Sequence, residues 1–397
     1  MGESLIRLST LAGGHPCSLR LVSTPIVKNS LKWSYFDPDV LPAWVAEMDF
    51  GLAPAVSRAL HQAVDNGDAG YPSDEGMEAT AIAATGFWSS RLGWSVDPSR
   101  VFAVPDVVEG LRRAITHLTK PGSAVILPTP AYYPFFGMVE LADREFVQVE
   151  SFVDGDGRYT VDLESVDREL ANGAGSIVLC NPWNPTGRTF SSGELSALID
   201  VVAGHGARVL SDEIHAPLVY NGSTHVAAAS IAPDVVVTVT SASKAFNLPG
   251  LKCAQVVLTN DRDAEVWSEF FTLPKIGVGT FGLVSNAAAY AEGGDWLDDV
   301  MMRLEATRQL LGELMNTHLP GVRYRPPDGT YLAWLDFGGL GHEAPADHFL
   351  EHARVGLSEG SLFGLGGGGH VRLNFATSDD LLIEIIERLA AVFKPAG

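Results

Sequence analysis

The segment SASKAFNLPGLK, residues 241–252, directly follows an apolar, β-branched run at 235–240. Such a run reads as a strand buried on both faces. The serines and the aromatic around Lys244 then read as a turn that sets this lysine at the end of the strand. A lysine in a half-buried turn can lose its charge by desolvation and become a nucleophile for carbonyls. The plainer alternative is a lysine on a surface loop.

The same unit, an apolar strand ending in a chemically loaded turn, recurs upstream. In VLSDEIHAPLVY (209–220) a strand ends on Asp212, Glu213 and His215. Adjacent acids at the carboxyl end of a parallel strand stand where α/β sheets place ligands. A metal reading of Asp212, His215 and His225 competes with a helix cap plus a core histidine, and no His-x-x-x-His or Cys partner supports it. CNPWNPTG (180–187) follows a third strand; Pro182 and Pro185 restrict the turn, Gly187 lets it reverse, and Asn184 presents an amide. In VFAVPDVVEGLRRAI (101–115) a strand and short turn lead into a helix from Val107, whose free N–H groups can hold a phosphate. Read singly, 101–115 is better taken as a plain βα unit, and 180–187 also fits an ordinary turn, although its N-P-x-N-P-T-G spacing is specific.

Strands are expected at 100–104, 124–127, 146–149, 177–179, 208–210, 235–240 and 255–258, with helices between some of them, such as 107–118 and 193–203. That alternation predicts an α/β layer with a mostly parallel central sheet flanked by helices. After about residue 285 the pattern becomes a long helix (296–318), a strand (331–336), a helix (346–353), a strand (371–376) and a last helix (379–393), a smaller α+β domain. The division expected is a large domain over 51–285 and a small domain over 286–397, with 1–50 as a segment packing on the small one.

The 397 residues carry 46% hydrophobic and 19% charged side chains, enough for a large core and against disorder. A net charge of −21 argues against nucleic acid and anionic membrane as partners. Cys17, Cys180 and Cys253 are too few and scattered for a disulfide framework or a zinc site, which favours the cytoplasm. No membrane span, signal peptide or myristoylation pattern is expected. Two G-x-G-x-x-G matches, Gly277-Gly279-Gly282 and Gly364-Gly366-Gly369, lack the strand–glycines–helix context of a dinucleotide site. No G-x-S-x-G elbow is present.

The order of these segments resembles the fold-type I pyridoxal 5′-phosphate (PLP) enzymes, the aspartate aminotransferase superfamily. AWVAEMDF (43–50), GYPSDEG (70–76), PTPAYYPF (128–135), DEIHAPLV (212–219), SKAFNLPGL (243–251) and GTYLAWLDF (329–337) are similar to the MalY/PatB-type cystathionine β-lyases. The likeness runs from about Trp33 to the end. It implies the PLP-dependent transferase fold, with the cofactor on the large domain. Lys244 would carry PLP as a Schiff base and shuttle protons at the substrate Cα. Asp212 would keep the pyridine nitrogen protonated, with His215 behind it or beside it. Asn184 would bond the ring 3′-oxygen, and Tyr132, with Tyr133 as competitor, would stack on the ring. The phosphate would meet Val107 and Val108 N–H groups, Ser241, Ser243 and Lys252. Arg372 would clamp the substrate carboxylate, and Trp44 and Asn184 would also border the substrate. Tyr71 would reach the neighbouring subunit's phosphate, which implies a homodimer with shared sites.

Glu47 stands where the subgroup usually has Asp, and residues 25–27 replace an Arg-Gly-rich run. Trp183 fits a pocket wall or the core, and Asp49 fits the substrate mouth or a cap. The reaction implied is β-elimination of cystathionine or another S-substituted cysteine to thiol, pyruvate and ammonia. An aminotransferase, or a specialised biosynthetic step such as sulfur-metabolite cleavage or decarboxylating oxidation, would use the same cofactor contacts. A non-catalytic, protein-binding role would be favoured by loss of Lys244 or Asp212, and both are present.

Overall fold

The computed structural model describes residues 29–270, 277–341 and 343–393. Cys17 and the residues at 25–27 lie outside the described residues. In chain order the elements are α1 (Leu31–Ser34), β1 (Leu41–Pro42), α2 (Pro54–Asn66), α3 (Asp74–Leu92), β2 (Val101–Val104), α4 (Val107–Leu118), β3 (Val125–Thr129), α5 (Pro134–Leu141) and β4 (Phe146–Glu150). Then follow β5 (Phe152–Val153), β6 (Tyr159–Thr160), α6 (Leu163–Ala171), β7 (Ser176–Cys180), α7 (Ser192–Gly204), β8 (Arg208–Asp212), β9 (Val236–Thr240), β10 (Ala254–Val257), α8 (Asp261–Phe270) and α9 (Thr280–Glu292). The chain closes with α10 (Gly294–His318), β11 (Arg323–Tyr324), β12 (Leu332–Asp336), α11 (Pro345–His352), β13 (Val355–Gly356), β14 (Ser358–Glu359), β15 (His370–Asn374) and α12 (Asp379–Val392).

Seven strands form one sheet in the order β2-β10-β9-β8-β7-β3-β4. All neighbouring pairs are parallel except those made by β10. Every residue of β3, β7 and β9 is buried, as expected for strands covered by helices on both faces. Helix α4 buries Val107, Leu111, Ala114, Ile115 and Leu118, a stripe at helical spacing. It lies close to the sheet because residue 110 is glycine: a Cβ there would come within 2.8 Å of a Val239 methyl. Strands β3 and β8 run two residues beyond the expected ends, because ladder pairing continues into the polar residues Thr129 and Asp212, whereas β10 and β15 stop one and two residues short.

Four strands, β11-β12-β15-β14, form a second, antiparallel sheet. Residues 41–47 pack on this sheet. Pro42 pairs with Gly356, the Asn374 N–H donates to the Ala43 carbonyl, and Asn374 Nδ2 donates to the Val45 and Glu47 carbonyls. Position 285 falls inside α9, which packs on α2 and α3, and α10 begins directly after it at Gly294. Alanine-rich α3 and α9 carry no strong apolar stripe, which is why the sequence does not announce them. Among the described residues no helix is long and apolar enough to cross a membrane.

Candidate active site

The loaded turns converge because parallel strands deliver their carboxyl ends to one edge of the sheet. Tyr132 follows β3, Asn184 follows β7, Asp212 ends β8, Lys244 follows β9, and α4 begins just after β2. They enclose a cavity of about 490 Å³ lined by Val107, Val108, Tyr132, Asn184, Asp212 and His215. Ser241, Ser243, Lys244 and Lys252 complete the predicted set on its wall, and Asp106, Glu109, Arg112 and Cys253 join them.

Lys244 Nζ donates to the Ala46 carbonyl at 2.8 Å, and the Tyr331 hydroxyl donates to the same oxygen at 3.1 Å. Burial, reinforced by the Arg372 charge, pushes the Lys244 ammonium down to about 8, although Asp212 and Glu47 pull the other way. A neutral amine, the nucleophilic form, is therefore accessible near neutral pH.

Asp212 is 4% exposed. Its Oδ1 accepts the Ile214 N–H at 3.0 Å, and Oδ2 faces the Cys180 thiol at 3.9 Å. Burial pushes this carboxyl up to about 7, against the Ile214 N–H and the Lys244 charge. One oxygen of a buried carboxyl thus lacks a strong donor, which fits the protonated nitrogen of a pyridine ring. His215 is also buried, its Nδ1 has no partner, and burial with the Lys244 and Arg372 charges holds the imidazole neutral. Tyr132 rather than Tyr133 lines the cavity; Tyr133 packs edge-on against Phe363.

Arg372 is 1% exposed. Its Nη1 donates to Asn184 Oδ1 (3.0 Å), and its Nη2 donates to the Trp44 carbonyl (2.8 Å) and Ser358 Oγ (3.1 Å). The guanidinium lies over the Phe363 ring, 5.1 Å from its centroid. Among the described residues no carboxylate pairs with it, and Nε has no partner. A buried cation without an anion is costly unless a ligand supplies one. A bound carboxylate fits that need, and a forked contact would have Nη2 exchange the Trp44 carbonyl or Ser358 for it.

At the start of α4, Asp106 Oδ1 caps the Glu109 N–H at 2.8 Å, and the Gly110 N–H returns to the Asp106 carbonyl. The N–H groups of Val107 and Val108 are left as donors at the cavity wall. Their spacing and the helix dipole suit a phosphate. Ser241 Oγ donates to the Cys253 carbonyl at 2.7 Å and accepts the Ser243 N–H at 3.0 Å. Its proton therefore anchors the turn instead of pointing at an anion. Lys252 Nζ pairs with Asp106 Oδ2 at 2.9 Å.

Some expectations fall elsewhere. The Trp44 indole packs on Tyr35 and donates to the Lys32 carbonyl, so Trp44 meets the site through its backbone carbonyl. Trp183 is core: its indole N–H donates to the Pro130 carbonyl and its ring stacks on Phe190. Asp49 forms a buried ion pair with Lys32 at 2.7 Å and accepts the Trp33 indole N–H. His225 binds Glu213 at 2.9 Å rather than joining Asp212. Among the described residues no group of three or more His, Cys, Asp or Glu could hold a metal. Tyr71 is 88% exposed, outside the cavity, in a groove with Gly250, Leu251 and Lys252.

Sequence reasoning missed Ala46, Tyr331, Ser358 and Asp106. Asp106 was legible, since Asp before a helix with Glu three residues on is an N-cap signature. The others are joined to their partners only by the fold: Lys244 and Ala46 are 198 positions apart.

The chain is 41% identical over 371 residues to a cystathionine beta-lyase from Corynebacterium glutamicum, covering 92% of this chain and 97% of that protein. It is 34% identical to the cystathionine beta-lyase PatB of Bacillus subtilis, over 91% of this chain and 96% of the other. The structure of cystalysin from Treponema denticola, which contains a pyridoxal 5′-phosphate cofactor, superposes with a TM-score of 0.86 at 28% identity, covering 92% and 95% of the two chains. The profile of the family described as Aminotransferase class I and II matches residues 45–389. This α/β chain, with a strand-end lysine and a buried carboxyl on one cavity and a buried arginine bonded to that cavity's Asn184, therefore belongs to the class I and II aminotransferase family and has the fold-type I architecture of PLP-dependent enzymes.

Proposed function

We propose that this protein is a PLP-dependent carbon–sulfur β-lyase that converts cystathionine or another S-substituted L-cysteine, with one water, into a thiol, pyruvate and ammonia. The observation that carries the reading is the buried Arg372 guanidinium, which has no carboxylate partner among the described residues and is bonded to Asn184 on the wall of the cavity that holds Lys244 and Asp212. The relatives named cystathionine beta-lyase favour elimination over the other reactions open to this cofactor.

The cavity residues suit PLP on their own chemistry. Lys244 would hold it covalently, Asp212 would hold the ring nitrogen, Asn184 the 3′-oxygen and Tyr132 a ring face. Val107, Val108, Ser243 and Lys252 would hold the phosphate. Bound there, PLP supplies an electron sink that acidifies the substrate Cα–H. Arg372 fixes the substrate carboxylate and so orients the Cα–H bond. Lys244, once its amine is free, takes the Cα proton and is the group placed to pass it on. His215 stands neutral on the same wall as Asp212 and so brings no competing positive charge to it. Tyr132 and the surrounding burial keep bulk water off the reacting carbon.

We further infer a homodimer in which the exposed Tyr71 crosses to the other subunit's site, and a cytoplasmic enzyme acting on a small amino acid. The division is best placed as a cofactor-bearing layer to about residue 293 and a smaller layer beyond it that carries residues 29–50.

The test offers L-cystathionine and an S-alkyl cysteine to the PLP-loaded protein without any 2-oxo acid. Thiol and pyruvate are expected in equal amounts over many turnovers. A single turnover that stops with the cofactor in its amine form would mean an aminotransferase and overturn the reading.

A further inference from the structure

The phosphate end of the cavity carries acid. Asp106 and Glu109 both line it, beside the Val107 and Val108 N–H groups. Glu109 is neutralised in place: Arg112 donates two bonds to its carboxylate, at 2.7 and 2.8 Å, and Arg113 a third at 2.5 Å. These contacts hold its carboxyl below the usual range despite burial. Among the described residues no arginine pairs with Asp106. Its two oxygens take the Glu109 N–H and the Lys252 ammonium.

Lys252 is thus claimed by a carboxylate of the same chain at the place where a phosphate would need it. The pair is a partly exposed one, with side chains 58% and 38% exposed, so it is easily exchanged. A dianionic phosphate arriving at the α4 N-terminus would meet the Asp106 charge at close range and would share Lys252 with it.

We propose that the Asp106 carboxylate sets the retention of the cofactor's phosphate, weakening it by repulsion and by holding Lys252. The proposal rests on the PLP reading of the cavity. Asp106→Asn separates charge from structure, because the amide oxygen still caps Glu109 while the charge is removed.

The test titrates the cofactor-free protein with PLP, and separately with pyridoxal, which lacks the phosphate, following absorbance and tryptophan quenching. Thermal unfolding of the cofactor-free forms checks that the cap survives. Asp106→Asn is expected to tighten PLP roughly 3- to 10-fold, the scale of one charge contact at a partly exposed site, and to leave pyridoxal unchanged. In a Lys252→Gln background the gain is expected to shrink but not vanish. Unchanged or weaker PLP binding would overturn the proposal, the latter by showing that Asp106 orients Lys252 for the phosphate. An equal gain for pyridoxal would overturn it too. Failure of the unaltered protein to bind PLP at all would overturn the cofactor reading and the proposal together, and is distinct from every other outcome.

Discussion

Lys244→Ala is expected to lose the visible absorbance of a covalently held cofactor and to reduce turnover of S-substituted cysteines roughly 10⁴-fold or more, because one amine serves as both anchor and proton carrier. The structure gives this lysine no alternative partner of comparable chemistry on its own wall. Its ammonium is held by the Ala46 carbonyl, and burial lowers its proton affinity to about 8. Lys252 is the other lysine on the cavity, and it lies at the phosphate end, paired with Asp106. Removing the Lys244 side chain leaves the Ala46 carbonyl with the Tyr331 hydroxyl, so the fold is expected to stand. An absorbance spectrum, a PLP titration and a thiol assay on the folded variant check the prediction. Full turnover in that variant would remove Lys244 from the chemistry.

Arg372→Ala is expected to lower kcat/KM for amino-acid substrates roughly 100- to 1,000-fold, with cofactor binding largely retained. Arg372 donates to Asn184, Trp44 and Ser358, all neutral acceptors, and its charge is balanced by no carboxylate among the described residues. Its electrostatic value is therefore realised toward a bound carboxylate. Arg372→Lys is expected to recover only part of the loss, since an ammonium cannot reproduce the fork. The variants are checked by saturation kinetics beside a PLP titration. Lost cofactor with unchanged substrate affinity would contradict the assignment.

Much of this arrangement could be read before any coordinates. The run at 177–179 is apolar throughout and those at 208–210 and 235–240 are apolar but for Arg208, Thr238 and Thr240, the pattern of strands covered on both faces. Each ends in polar residues, and parallel strands bring such ends together, so Asn184, Asp212 and Lys244 meet on one wall. Helix α4 was legible to its last residue because its apolar stripe is regular and Asp106 marks its start. Contacts that depend on the second sheet were not legible. Ser358 lies on a strand of two residues, and it meets Arg372 only through the pairing of β14 with β15. The resemblance implied a substrate role for Trp44, whereas it is its carbonyl that meets Arg372, and a carbonyl carries no residue identity. Ser241 invited a phosphate, but its proton is taken by the Cys253 carbonyl across the β9–β10 turn.

The placement of the cofactor on one lysine of this cavity is the claim on which the rest depends. It is tested most directly by loading the protein with PLP, reducing it with borohydride and locating the modified residue by peptide mass spectrometry. The account predicts one phosphopyridoxyl group per chain, on Lys244. A label on Lys252 or elsewhere, or none at all, would contradict it.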